Sequence, residues 1–572
     1  MAVAESLDRP GAEGVSAKER RRFRGRSLCF GVALLLLVLF LAHLDSWNPA
    51  GFFGWYQDDT ILFSSARSLA QGRGYSLPSF PLPSGGVLPQ SKYPILYPWL
   101  LSWIWRFNPA FPSNITGAVW MTALFACWYL VASFLLLRRL GWSDWPALLL
   151  AGLTAFHPNF VFLGGAVLSE MLFMALAMTA VLVSDSAFRE KRATLAVLAA
   201  VVGGLSVMTR VFGVAVIAGI AAHALYRRTV RLAAVFCLVA APFVIFALWP
   251  AIHPPVDAPS SDGWRQTFLY YTSYWQFWRL CVPNWHVFLA MLAFNVQAFL
   301  ESPSSYCLFP PLGDHSYFGF LLSVTLTAGI LAGVGRQGRK RGWSSIHFVF
   351  PLYAALTLIW NYTLMDRFLL LFVPMFYAGL ATEVRHLGAM LAENLRSQRS
   401  TGEKILAGVL GLALVALGGL AVRHYGRGLR KPAALNQGAA VAGEKQEAYR
   451  WIRDNTNPRD RFIAYEDASL YLFTDRQAIR PIVFSTEAFF QQDERVLRRD
   501  LAHFTDVAQQ VRARYWLAAE DDFHLETGLP LIQEKVSQLR AILPAVFRSN
   551  QSKVQIYDLC AAPLRLCGDS QR

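Results

Sequence analysis

The sequence predicts a polytopic α-helical membrane protein with a smaller mixed α/β domain after the last span. Three observations carry that prediction. Apolar runs of 16 to 23 residues recur from Leu28 to about Val422, and runs of that length cross a bilayer as helices. Of the 572 residues, 54% are hydrophobic and only 16% charged, with a mean hydropathy of +0.34. Residues 423–572 read differently, with charges every few positions and short alternating runs, so a domain boundary falls near Arg423.

The net charge of +15 does not point to nucleic acid. From Arg423 onward there are 22 Lys+Arg and 19 Asp+Glu, a balance of only +3. The remaining +12 sits in short clusters between apolar runs, which is the positive-inside signature of membrane topology. Seven cysteines with no CxxC leave no zinc or redox motif. The basic tail 1–27, with KERRRFRGR at Lys18 to Arg26, precedes an apolar run with no small-residue cleavage site after it. It reads as a cytoplasmic tail ahead of an uncleaved anchor.

Taken in order, the first span covers about 28–46 and brings Asp58 out on the far side. Tyr93 to Trp105 is about 13 residues with two prolines, short for a span. Treated as an interfacial or re-entrant helix, it leaves every later basic cluster inside. Further spans are expected near 115–137, 146–162, 171–186, 193–208, 211–226, 232–252, 316–335, 345–363, 368–382 and 404–422, eleven in all. An odd number puts the last domain outside, with loops 47–114 and 253–315. Within 253–315, the apolar piece Trp285 to Leu300 is expected in the interface.

Cys281 and Cys307 share one outer loop, and Cys560 and Cys567 share the tail. The outer compartment preserves disulfides, so both pairs are bridge candidates. In the last domain EKQEAYRWIRDNTNP reads as a helix ending at Asn-Pro. RFIAYED, RYWLAAE, PAVFRSN and KVQIYDL read as strands.

The same topology sorts the unusual polar residues to one side. Asp58, Asp59, Lys92, His157, Glu170, Arg210, Asp366 and Arg367 all fall at outer span ends or in outer loops. Each has a structural and a chemical reading. Asp58 and Asp59 open a helix, where carboxylates complement the dipole; they could equally supply a general base or metal ligands. Lys92 is a snorkelling lysine or a phosphate contact. Glu170 is a partner for an arginine or a second catalytic acid. Arg210 and Arg367 break the positive-inside pattern and are interfacial anchors or anion ligands. His157, in FHPNF, reads as a loop or helix-end histidine rather than a ligand. No GxxxxGK[ST] or GxGxxG is present, so nothing supports a nucleotide-driven mechanism. No span carries the buried chain of charges that a coupled pump needs.

An anchor span, an acidic pair in the first outer loop, KYPILYPWLLS, an RRLG turn, SE at an outer span end, GLSVMTR and DRFLLLFVP together resemble the GT-C glycosyltransferases. The nearest likeness is to protein O-mannosyltransferase-like and lipid A aminoarabinose transferase-like enzymes. YRWIRDNTNPRDRFIAYEDASLYLFTDRQ looks like the extracytoplasmic domain that follows the spans in bacterial members. The resemblance implies a GT-C fold in residues 28–422 of an integral plasma-membrane enzyme. It implies transfer of a sugar from a polyprenyl-phosphate donor to an extracytoplasmic lipid, glycan or protein acceptor, with inversion. By position, Asp58 matches the family's acceptor-activating base and Glu170 its second acidic position. Asp59 would support Asp58 or help hold a divalent metal. Lys92 matches a lysine that meets the lipid phosphate, with Arg210 and Arg367 as further phosphate ligands. The pair is Asp-Asp where protein mannosyltransferases carry Asp-Glu. No metal or other cofactor is asserted. The competing reading is a non-catalytic polyprenyl-glycolipid transporter or envelope-assembly scaffold of the same fold.

Overall fold

The computed structural model describes residues 17–253, 256–307, 317–361, 366–396, 401–430, 433–491, 493–523 and 529–561. Among them, seven helices are long and apolar enough to cross a membrane: Ser27–Ser46, Ile115–Arg139, Glu170–Glu190, Val230–Pro250, Trp285–Cys307, Tyr317–Arg341 and Arg367–Glu393. The bent pair Asp144–Ala155 and Pro158–Gly165 makes an eighth if it counts as one span. It breaks by 65° where Pro158 opens a new helix, as proline does at a first helical position. Three of the eleven expected spans are shorter apolar helices, Ala193–Val207, Gly213–Tyr226 and Ser345–Leu358. Trp285–Cys307, expected to lie in the interface, is a helix of span length. The expected span 404–422 falls within the helix Thr401–Gly428.

Burial ranks these helices. Glu170–Glu190 is the centre of the bundle, with 78% of its most apolar window buried, against 17% for Ser27–Ser46 at the edge. Lipid tails are as apolar as leucine, so close backbone approach at small residues holds such helices together. A Cβ on Gly333 would fall on the Gly379 backbone, and one on Gly219 would fall on the Val349 backbone. Larger residues there would push the helix pairs apart.

The two ends of the bundle differ in charge. At one end Arg341 Nη1 donates to Leu140 O at 2.9 Å, Arg139 Nη1 to Leu182 O at 2.9 Å, and Arg385 lies over the Trp142 ring. At the other end sit the helices Asp58–Ala70 and Leu96–Phe107 and a five-stranded sheet. Leu96–Phe107 is amphipathic and short. It buries Tyr97, Leu101 and Trp105 and exposes Trp99, Trp103 and Phe107.

The sheet runs Ala478–Ile479, Phe462–Ala464, Tyr515–Ala519, Val554–Asp558, Ala545–Arg548. The first three strands are parallel and the last two pair antiparallel. The four segments read as strands all contribute one; Ala478–Ile479 was not foreseen. YWLAA is buried on both faces because each face has its own cover. Tyr515, Leu517 and Ala519 join a cluster with Tyr449 and Ile452 of the helix Ala433–Asn455. Trp516 and Ala518 join a second cluster containing Leu77, Phe80 and Leu88 of the first long loop and Trp264, Phe268 and Tyr271 of the second. Both loops therefore share a core with the sheet. Ala478 N also donates to Ser79 O at 3.0 Å.

The Cys281–Cys307 bridge does not exist: both thiols are free and buried. Cys281 packs in the cluster beneath the sheet, and Cys307 in the core of the helix bundle, so each side chain points into a different core. Cys560 is disulfide-bonded; Cys567 lies outside the described residues.

Candidate active site

Five of the six singled-out site residues converge at the end of the bundle away from the basic clusters. Asp58 is the first residue of the helix Asp58–Ala70. Glu170 opens Glu170–Glu190. Arg210 lies in the corner between Ala193–Val207 and Gly213–Tyr226, and Arg367 in the turn of helix Asp366–Leu369. Lys92 lies just before the helix Leu96–Phe107, tied to the Arg210 corner by Leu96 N donating to Met208 O at 2.9 Å.

These side chains form an alternating chain of charge. Arg367 Nη2 donates to Asp58 Oδ2 at 2.8 Å. Arg367 Nη1 stands 3.3 Å from Glu170 Oε1, and Arg210 Nη1 stands 2.7 Å from the same oxygen. The two Glu170 contacts are ion pairs by distance, without hydrogen-bond alignment. Arg210 Nη1 also donates to Ser169 Oγ at 3.3 Å. The Phe368 ring centroid lies 5.7 Å from each guanidinium. A buried ion pair is costly to assemble and costly to break, so four such groups at one point need a reason beyond packing.

Asp58 is held from two sides, since Tyr93 Oη donates to its Oδ1 at 2.5 Å. Burial pushes its carboxyl up, but Arg367, Lys92 and the two hydrogen bonds outweigh that and hold it below the usual carboxylate range. Asp59 turns the other way. Its Oδ2 accepts from Gly54 N at 2.8 Å and its Oδ1 from Thr60 N at 2.7 Å, and burial raises it to about 7. The neighbours therefore do not form a pair of like function. A divalent ion needs several oxygens converging on one point. Asp58 is engaged by Arg367 and Tyr93, and Asp59 by two backbone amides. Among the described residues no group of three or more His, Cys, Asp or Glu is placed to hold a metal. The acidic pair does not fit a metal site.

The Lys92 side chain is buried, and its ammonium sits 3.7 Å from the Tyr270 ring centroid, 5.0 Å from Tyr274 and 5.4 Å from Tyr93. Burial pushes it down to about 7, only partly offset by Asp58. A second layer comes from the sheet domain. Arg480 Nη1 donates to Tyr270 Oη at 3.0 Å, and Tyr271 Oη donates to Asp467 Oδ2 at 2.8 Å. Sequence reasoning missed Tyr93, Tyr270, Tyr274, Asp467 and Arg480. Tyr93 stands beside Lys92 in KYP, a local signal. The others come from distant segments and have none.

His157 caps the helix Pro158–Gly165 through Asn159 N, which donates to its Nδ1 at 3.2 Å. That is the helix-end role expected for it.

No family model matches the sequence, and no curated relative matches it. Solved structures do. The archaeal oligosaccharyltransferase AglB from Archaeoglobus fulgidus, solved in complex with an inhibitory peptide and a dolichol-phosphate, superposes with a TM-score of 0.51 at 14% identity. That match covers 92% of this chain and 74% of AglB. ArnT from Cupriavidus metallidurans, solved bound to undecaprenyl phosphate, matches with a TM-score of 0.49 at 12% identity, over 94% of this chain and 99% of ArnT. The chain has the fold of the GT-C glycosyltransferases.

Proposed function

We propose that this integral membrane protein transfers a sugar from a polyprenyl-phosphate carrier to an acceptor on the extracytoplasmic face. The observation that carries the reading is the Asp58–Arg367–Glu170–Arg210 chain, of which Asp58, Arg367 and Arg210 line one cleft, with Lys92 near Asp58. The basic ends of the helices lie at the opposite end of the bundle. By the positive-inside rule that end is cytoplasmic and the cleft faces outward. The solved AglB structure with bound dolichol-phosphate supports the donor class.

The residue types fit the chemistry. An acceptor hydroxyl attacks the anomeric carbon as the carbon–oxygen bond to the phosphate breaks. The sugar–acceptor bond forms, the proton passes to a carboxylate, and polyprenyl phosphate leaves with the bonding electrons. Lys92, Arg210 and Arg367 stabilise the charge that builds on that phosphate. Asp58 takes the proton as general base. Attack opposite the leaving phosphate inverts the anomeric centre. Arg367 links the two roles. While it is paired with Asp58, the carboxylate is a weak base. When the donor phosphate draws Arg367 away, burial raises the basicity of Asp58 as the acceptor needs it. Asp59 acts through the backbone by clamping Gly54, and Glu170 holds Arg210 and Arg367 in place. The exposed aromatic face of Leu96–Phe107 offers a wall for the isoprenoid tail.

The test uses full-length protein in lipid nanodiscs, a panel of radiolabelled polyprenyl-phosphate sugars and a cell-envelope extract as acceptor. Donor-dependent transfer of label supports the reading and names the donor sugar. Donor binding with no transfer or hydrolysis across the panel overturns it in favour of a carrier.

A further inference from the structure

The segment 50–58 borders two cavities that share no lining residue. Tyr56 lies under Arg367, 5.0 Å from ring to guanidinium, and Asp58 is paired in the ion-pair cleft. Residues 50–55 close a second cavity of about 270 Å³. Its far wall is built by the helix Ala433–Asn455 and by residues near the strand Phe462–Ala464. The six residues that give it chemical character are Trp55, Lys445, Tyr449, Glu466, Phe473 and Asp521.

Lys445 Nζ donates to Glu466 Oε1 at 2.7 Å and to Asp521 Oδ2 at 2.8 Å. An ammonium has three donors and an ionised carboxylate about four acceptor sites, so Lys445 and Glu466 keep hydrogen-bonding capacity. Tyr449 and Phe473 stack at 4.9 Å with an interplanar angle of 12°. Two carboxylates face one ammonium, which makes the lining net negative. An anionic ligand is therefore disfavoured. Hydroxyl groups are favoured, because they donate to carboxylates and accept from an ammonium, while the apolar face of a sugar ring rests on aromatic side chains. The volume lies just below the roughly 300–1,000 Å³ of ligand pockets, which suits one monosaccharide unit.

We propose that the second cavity is a recognition subsite for a neutral, hydroxyl-rich sugar unit of the acceptor. This rests on the transferase reading above. The unit it holds is not the reacting one, since Asp58 lines the other cavity and not this one. Gly54 lines the cavity and also donates to Asp59 at 2.8 Å, so occupancy bears directly on the loop that ends at Asp58.

The experiment has two arms, both on full-length protein in nanodiscs. In the first, saturation-transfer NMR is run with a neutral disaccharide, its N-acetylated counterpart and its phosphorylated counterpart. The two uncharged sugars should show transfer and the phosphorylated one should not. Ala442→Trp and Gln446→Trp, at exposed positions on the cavity rim, should each abolish the signal. Silence from both uncharged sugars, or signals that survive both substitutions, overturn the proposal. In the second arm, Ala442→Trp should lower transfer to envelope acceptor by about tenfold or more, an effect of at least about 1.4 kcal/mol, and leave polyprenyl-phosphate binding unchanged. Unchanged transfer sinks the subsite and leaves the transferase standing. If wild type transfers nothing, the transferase reading fails, and the sugar-binding arm decides the cavity alone.

Discussion

Asp58 and Arg367 meet at 2.8 Å in a largely buried contact, and the same guanidinium reaches Glu170 on the central helix. The contact predicts two separable effects. Asp58→Asn should lower kcat by about 10²–10⁴-fold, the range of a lost general base, and leave donor binding intact. Arg367→Gln removes the charge that holds Asp58 below the usual range, so burial then dominates and its pKa rises. The acid limb of kcat/KM should move to higher pH in that variant. A limb that stays in place would show that Arg367 does not set the basicity of Asp58.

Glu170 stands between two buried guanidiniums, 2.7 Å from Arg210 and 3.3 Å from Arg367. Glu170→Gln removes the carboxylate the two cations share and leaves only Asp58, paired with Arg367, and breaking a buried pair costs about 3–5 kcal/mol. The variant should melt earlier than wild type without ligand. Polyprenyl phosphate should then raise its melting temperature by more than it raises that of wild type, because the phosphate replaces the missing negative charge. Equal shifts in the two proteins would show that the arginines do not bind phosphate.

Lys92 gives a pH signature for donor binding. Its folded pKa is lowered to about 7 by burial, well under the ordinary lysine value of about 10.4. The sign follows. Below about pH 7 the ammonium is present for the phosphate. Above it the empty site holds a neutral amine that must be protonated on binding, so affinity falls by up to about tenfold per pH unit. Lys92→Gln should weaken binding at low pH and flatten the profile. Titration of polyprenyl-phosphate affinity on both proteins measures this, and a flat wild-type profile would refute it.

The sequence made the membrane class and the grouping of the site's polar residues legible, because both are written in local patterns. Asp58, Glu170, Arg210 and Arg367 lie far apart in the chain, yet all stand at span ends that the lysine and arginine clusters place on one side. What was not legible depends on direction or on contacts between distant segments. Asp59 differs from Asp58 only in which way a helix start turns it, towards Gly54 N. Periodicity cannot report that. Cys281 and Cys307 share a loop in sequence, but the helix Trp285–Cys307 carries the second into a different core. Arg480 and Asp467 reach the site from the sheet through Tyr270 and Tyr271, over two hundred residues' separation or close to it. The expected spans 193–208, 211–226 and 345–363 correspond to helices of 14 or 15 residues, shorter than the roughly 20 residues that cross a bilayer, because helix ends depend on turns that an apolar run does not mark.

Gly54 should prove more important than its size suggests. Its φ is +99°, a region that costs a residue with a side chain about 1–3 kcal/mol. A Cβ there would also stand 3.2 Å from Ser469 Oγ. Its amide donates to Asp59, and that bond fixes the loop that delivers Asp58 to Arg367 and Tyr93. Gly54→Ala should therefore lower kcat while leaving donor affinity near wild type, since Lys92, Arg210 and Arg367 come from other segments. Crowding and backbone strain can be told apart by adding Ser469→Ala, which removes the nearby hydroxyl and leaves φ unchanged. The double variant should recover little activity. Full recovery would mean that the clash with Ser469, and not the left-handed backbone at Gly54, was what displaced Asp58.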